Sequence, residues 1–182
     1  MFAEDFDWSL YLESNLVVAN FVMTCDGKWR DSQNSSRGIS NALDREVLIR
    51  LRQSHSAILT GGETARVEGY RASSRFKTYI LSRSSQDLVD GLDYLSPKSD
   101  GELIESIRAI RARHDGLLIE AGPSLLAKLV SLGLVDRLFL TIIGAEACSP
   151  AELLETIGVY GFAIKKRQQF DETSFLALEP VS

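Results

Sequence analysis

Leu117-Leu118-Ile119-Glu120-Ala121-Gly122-Pro123-Ser124 reads as an apolar strand that runs out into small residues and then directly into a helix. Proline fits the first turn of that helix, because the amide it lacks has no partner there in any case. The helix runs from Ser124 to Leu132, and Gly133 stops it. The same layout occurs earlier, in Ile58-Leu59-Thr60-Gly61-Gly62-Glu63-Thr64. Glycines let a ligand approach the backbone, and the free amides and dipole at a helix start attract anions. One such turn is an ordinary tight connection. Two in one small sheet point to a dinucleotide, although neither is the Rossmann fingerprint or a Walker loop.

Working outward, strands and helices alternate. Leu16 to Met23 is an almost continuous apolar run, as for a strand buried on both faces. Asp26-Gly27 turns the chain, and Lys28 to Ser40 is expected to be a polar excursion over the surface. Ser40 or Asn41 caps a helix to Gln53 with an apolar stripe at Leu43, Val47, Leu48 and Leu51. Further strands are read at Ala57 to Thr60, Phe76 to Leu81, Leu92 to Leu95, Gly116 to Glu120 and Val135 to Ile143. Helices are read at Thr64 to Gly69 and, capped by Asp100, at Gly101 to Arg113. Phe162 to Phe170 and Ser174 to Pro180 close the chain as a hairpin. The expected fold is α/β: one domain, a mostly parallel sheet covered on both faces, and an antiparallel C-terminal edge.

Composition narrows the function. The chain has 182 residues, 45% apolar and 25% charged, enough for one hydrophobic core. A net charge of -5 carries no basic footprint, so no nucleic-acid partner is expected. Lys165-Lys166-Arg167 reads as a solvated strand end. No apolar run is long enough to span a bilayer, and the acidic, aromatic start is not a signal peptide, so the expected location is cytoplasmic. Cys25 and Cys148 are too few for a disulfide framework or a structural zinc site, and Cys25 reads as inert packing. His55 and His114 fall at helix ends, where a surface or dipole role is expected. No metal is expected.

Three further features bear chemistry. Tyr79 to Ser85 ends a strand in Ser82-Arg83-Ser84-Ser85, hydroxyls around a planar fork of donors that suits phosphate or lies in solvent. Asn20 to Lys28 gathers an amide, a hydroxyl, a carboxylate and an ammonium near one strand end; Asn20 is the odd residue in its apolar strand and needs a partner if buried. Glu120 closes a buried strand either as a ligand contact or as a clamp on neighbouring backbone amides.

Together these segments resemble a family, the pyrimidine reductases of riboflavin biosynthesis, within the dihydrofolate reductase-like superfamily. Thr24-Cys25-Asp26-Gly27-Lys28 resembles their Ser-x-Asp-Gly-Lys element. Leu51-Arg52 and Ala57 to Arg66 resemble their second conserved stretch. Leu118 to Leu125 resembles their Glu-Gly-Gly-Pro element, and Leu132 to Leu138 the Gly-Leu-Val-Asp segment after it. Ala121 stands in place of a glycine, Ser56 in place of Asp, and Gly69-Tyr70 where many members carry Asp-Pro.

The resemblance implies an NADPH-dependent reductase, often a homodimer, that converts a phosphoribosylamino-pyrimidine such as 5-amino-6-(5-phosphoribosylamino)uracil to its ribityl form. It implies that Thr60, Gly61, Gly62, Thr64, Ala121, Gly122, Pro123 and Ser124 line the cofactor groove, with Ser82 and Arg83 at the 2'-phosphate. It places Asp26, Lys28 and Glu120 on the substrate side as the catalytic set. The alternatives are a reductase of another small heterocycle, such as a pterin or folate, and a non-catalytic nucleotide-binding protein.

Overall fold

The computed structural model describes residues 5–82, 89–144 and 148–181. Among these residues the strands are β1 (Val17–Thr24), β2 (Ala57–Gly61), β3 (Lys77–Leu81), β4 (Asp93–Leu95), β5 (Leu117–Glu120), β6 (Arg137–Ile143), β7 (Phe162–Phe170) and β8 (Thr173–Pro180). The helices are α1 (Ala42–Ser54), α2 (Gly62–Glu68), α3 (Asp100–Arg111), α4 (Pro123–Ser131) and α5 (Pro150–Thr156). The strands form one sheet in the order β4-β3-β2-β5-β1-β6-β8-β7. All neighbours from β4 across to β6 run parallel; β8 is antiparallel to β6, and β7 to β8. The expected fold class is therefore the observed one.

The two-residue period of a strand divides the core. Val17, Ala19, Phe21 and Met23 of β1 face the larger cluster, where Leu103, Ile107 and Ile110 of α3, Leu126 and Leu129 of α4, and Leu153 and Leu154 of α5 pack. Val18 faces the other side, with Leu43, Val47 and Leu51 of α1 and the aromatic N-terminal segment. Phe6 meets Phe170 and Phe175, and Tyr11 stacks on Phe139 at 4.1 Å. The acidic, aromatic start of the chain is thus a wall of the core.

Most boundaries fall within a residue or two of those read from sequence. Asn41 caps α1, accepting from the Asp44 amide at 2.9 Å. Gly133 follows α4 with φ +65°, the left-handed stop that glycine adopts at no steric cost. Ser99, rather than Asp100, caps α3. The sequence reading passed over α5, yet Ser149-Pro150-Ala151-Glu152 carries a start signal: the Ser149 hydroxyl caps the Glu152 amide and Pro150 takes the first turn.

The expectations for His55, in part, and for Cys25 are corrected. Lys28 to Ser40 runs over the surface as expected, with no residue of the segment buried, but it is tied down. Arg30 donates to Asn34 and Glu63, while Glu68 accepts from the Ser35 and Ser36 hydroxyls and pairs with Arg37. Both glutamates belong to α2, so that short helix holds the segment down. His55 is buried, so of its two expected roles the surface one falls and the place at the C-terminus of α1 stands. Its Nδ1 lies 2.8 Å from the Leu51 carbonyl, and burial lowers its pKa. Cys25 is not inert packing but forms a disulfide with Cys148.

Candidate active site

The C-terminal ends of β1, β2, β3 and β5 open onto two adjoining cavities, where open α/β sheets ordinarily take their ligands. One is a groove of about 1020 Å³, lined by Gly61, Gly62, Thr64, Ser82, Lys98, Gly122, Pro123 and Ser124. The other is a pocket of about 720 Å³ against the α1 face of the sheet. Trp29, Arg30, Asn34, Thr64 and Gly122 border both.

The groove is shaped by two helix starts. Asn41, Ser99 and Ser149 cap α1, α3 and α5 with their side chains. α2 and α4, the helices that begin at the groove, have glycine N-caps and no side-chain cap. Their first amides are therefore left for another acceptor. A Cβ on Gly62 would lie 2.9 Å from the Ser82 hydroxyl, and one on Gly122 3.5 Å from the Arg30 guanidinium, so side chains here would enter the groove's wall.

The pocket has a polar floor that sequence reasoning largely missed. Asn20 follows Val18 on the α1 face of β1, and its Oδ1 is buried with no partner among the described residues. Asp44 of α1 is buried as well. Its Oδ2 accepts from Ser40 at 2.6 Å, but its Oδ1 has no partner among the described residues. Burial raises the Asp44 pKa, and the Ser40 and Thr141 hydroxyls and Arg45 work against that rise. The signal was present: Asp44 lies three residues before Val47, on the apolar side of the α1 stripe, where a carboxylate is costly unless used.

Glu120 forms the pocket's second acidic feature. It accepts from Arg52 through both oxygens, at 2.7 and 2.5 Å, and from the Tyr70 hydroxyl. Of its two expected roles, the structure shows a clamp, but onto a guanidinium and a phenol rather than backbone amides. The carboxylate drives the Arg52 pKa up, while burial, then the nearby Glu120 charge, drives that of Tyr70 up. Arg30, Arg37, Arg45, Arg52 and Arg71 all border the pocket. Arg45 and Arg71 form no salt bridge among the described residues.

The expected site residues divide between the two cavities. Gly61, Gly62, Thr64, Ser82, Gly122, Pro123 and Ser124 meet at the groove, as does Lys28. Glu120 and Ala121 border the pocket instead. Thr60 is fully buried and borders neither. Arg83 lies outside the described residues. Asp26 and Lys28 pair with each other at 2.6 Å on the surface, their side chains 59% and 70% exposed, so the structure does not join them to Glu120. Lys28 and then Thr24 lower the Asp26 pKa, and Asp26 raises that of Lys28. No group of three or more His, Cys, Asp or Glu among the described residues could hold a metal ion, and no helix there is long and apolar enough to cross a membrane.

This sheet order, with its paired cavities, is the dihydrofolate reductase-like fold. The structure superposes on Enterococcus faecalis dihydrofolate reductase, solved with NADP(H), with a TM-score of 0.65 at 12% identity, covering 92% of this chain and 98% of that one. Within that class, residues 15–87 match the RibD C-terminal domain family, which agrees with the resemblance read from sequence. A pyrimidine reductase-like protein from Corynebacterium diphtheriae superposes with a TM-score of 0.71 at 19% identity, covering 99% of this chain and 97% of that one. Acinetobacter baumannii RibD gives 0.68 at 17% identity, covering 92% of this chain and 59% of that longer one. No curated protein sequence matches the chain.

Proposed function

We propose that the protein is an NADPH-dependent reductase of a small phosphorylated heterocycle, with a phosphoribosylamino-pyrimidine such as 5-amino-6-(5-phosphoribosylamino)uracil as the favoured substrate. The observation that carries this reading is the buried, unpartnered Asp44 oxygen in a pocket that adjoins the glycine-lined groove. A buried acceptor without a partner is costly, and a ligand with N–H donors removes that cost. Asn20 Oδ1 adds a second such acceptor. An amino-pyrimidine edge offers donors of the required kind.

The uncapped start of α4 fits the diphosphate of a dinucleotide, with Gly122 and Pro123 beneath it and Ser124 beside it. Gly61, Gly62 and Thr64 form the opposite wall. Ser82, with Lys98 and the expected Arg83, is assigned to the 2'-phosphate. When bound, NADPH supplies the hydride. The chain's own part is to hold the heterocycle on Asp44 and Asn20, to keep a proton available at the Asp44 carboxyl, and to exclude water beneath Trp29. Arg45 and Arg71, which form no salt bridge among the described residues, suit the substrate phosphate better than Lys28, which borders the groove.

A pterin or folate would present a similar amino-pyrimidine edge to Asp44. The surplus of arginine favours the phosphorylated substrate. The test is loss of NADPH absorbance with the phosphoribosylamino-uracil, with dihydrofolate, and with NADH replacing NADPH. Turnover on the first with preference for NADPH supports the reading. Turnover on dihydrofolate alone replaces the substrate, and no cofactor binding refutes the function.

A further inference from the structure

Cys25 and Cys148 lie 123 residues apart in sequence, and their disulfide is the one covalent cross-link of the chain. Its position ties it to the candidate site. Cys25 directly follows β1 and opens a tight turn. The Thr24 amide donates to the Lys28 carbonyl at 2.7 Å, and the Gly27 amide to the Thr24 carbonyl at 2.9 Å. The next residues, Gly27 to Arg30, border the groove, and Trp29 and Arg30 border the pocket too. Cys148 directly precedes Ser149, the cap of α5. That helix backs the turn: a Cβ on Gly27 would lie 3.8 Å from Thr156.

The two ends are held very unequally. Leu153, Leu154, Ile157 and Val159 anchor α5 and its exit in the larger core cluster. The turn Cys25–Lys28, by contrast, is held mostly by bonds within itself, by the Cys25 amide to the Ile143 carbonyl at 2.9 Å, and by the disulfide, while Trp29 and Arg30 beyond it are anchored on the core cluster and on Glu63. Asp26 and Lys28 at its tip pair only with each other and with Thr24. Both cysteines are half-buried, packed against the edge of the core, and so within reach of a small thiol.

We propose that this disulfide is a redox-sensitive tether, which holds the turn Cys25–Lys28 in place at the rim of the ligand groove and releases it when reduced. This rests on the cofactor reading of the groove. The chemistry is thiol–disulfide exchange with a dithiol. One thiolate attacks a sulfur of the bridge, and the second resolves the mixed disulfide. The dithiol is oxidised by two electrons, and Cys25 and Cys148 leave as two thiols. Because α5 keeps its core contacts, the release is local. The rim loses its pre-organisation, and a ligand must then order it on binding.

The experiment compares the intact protein before and after dithiothreitol, with thiols counted by Ellman's reagent, NADPH affinity by fluorescence titration, and amide exchange followed along the chain. The expected result is no reactive thiol before treatment and two after. Exchange should rise in 25–28 with β5 and β6 unchanged, and NADPH affinity should fall at least about threefold. Cys148→Ser should behave as the reduced protein and no longer respond to dithiothreitol. Equal exchange and equal affinity in both redox states would overturn the tether, as would two reactive thiols in the air-oxidised protein. Local exchange that rises in a protein binding no NADPH in either state supports the tether and refutes the cofactor reading, so the two failures are separable.

Discussion

Replacing Arg52 with Met should damage the protein more than replacing Glu120 with Gln, although each breaks the same ion pair. The difference follows from exposure. The Glu120 side chain is 8% exposed and that of Arg52 34%. Without Arg52, a largely buried carboxylate keeps the Tyr70 hydroxyl as its side-chain partner among the described residues. Breaking a buried pair from the side that leaves such a charge costs about 3–5 kcal/mol, and partial exposure of Arg52 places this case near the lower end, at about 3 kcal/mol. For a chain of this length that is a fall in Tm of roughly 6–12 °C. Without the Glu120 charge, the guanidinium turns to solvent and Gln still accepts from Tyr70, so the cost is that of a charged hydrogen bond, about 1.5 kcal/mol. The double variant should recover part of the Arg52→Met loss, because no uncompensated charge remains. Urea unfolding of the four proteins measures this cycle. A Glu120→Gln loss equal to or greater than that of Arg52→Met would refute the reasoning.

Three other outcomes are expected. Asp44→Asn should raise Tm near neutral pH yet lower turnover about a hundredfold or more. Burial raises the Asp44 pKa, so its share of stability is full below the ordinary carboxylate range and lost as pH rises through the folded value; the stability gain of the variant should therefore vanish in acid, and a gain that persists there would contradict this account. His55 works in the opposite sense. Its folded pKa is lowered, so stability is full above the ordinary histidine value and falls as pH drops below about 6.5, by at most roughly 1.4 kcal/mol per pH unit; His55→Gln should flatten that slope in urea titrations, and an unchanged slope would assign it elsewhere. Gly122→Val should keep the fold, since Gly122 has φ -65°, but weaken NADPH at least tenfold by isothermal titration; unchanged affinity would move the diphosphate away from α4.

The fold was legible because its local signals agree. The apolar runs of β1, β2 and β5, the stripe of α1 and the Pro123–Gly133 punctuation of α4 each specify their element without help from distant residues. The groove was legible for the same reason, since it is made of strand-to-helix turns whose residues are neighbours in sequence. The pocket was not. Asp44, Asn20, Arg52 and Tyr70 come from α1, β1 and the end of α2, and only the packing of α1 on the sheet brings them together. Arg52 had stood within the family-like Leu51-Arg52 pair without a role, because nothing local says that a helix arginine reaches the end of β5. The cysteine pair failed similarly: a sequence separation of 123 residues carries no local sign that its ends meet.

The distribution of unsatisfied groups argues that the pocket, rather than the groove, discriminates among substrates. Among the described residues, no partnerless buried side-chain atom borders the groove; those of His55, Thr60 and Thr78 border neither cavity, and two acceptors, Asn20 Oδ1 and Asp44 Oδ1, border the pocket. Each lowers stability while the pocket lacks a donor, and a well-packed core would have apolar atoms at both places. Glu120, at the same depth, is instead fully engaged by Arg52 and Tyr70, so it fixes the wall and leaves the floor to read the ligand. A ligand without matching donors would bury these acceptors more deeply and still leave them unpaired, a penalty that apolar contacts do not offset. The groove works otherwise. Its glycine turns offer backbone amides, which donate to any suitably placed phosphate. Shared rim residues Trp29, Arg30 and Asn34 then couple the two cavities. Whatever fixes that rim bears on both the groove and the pocket beside it.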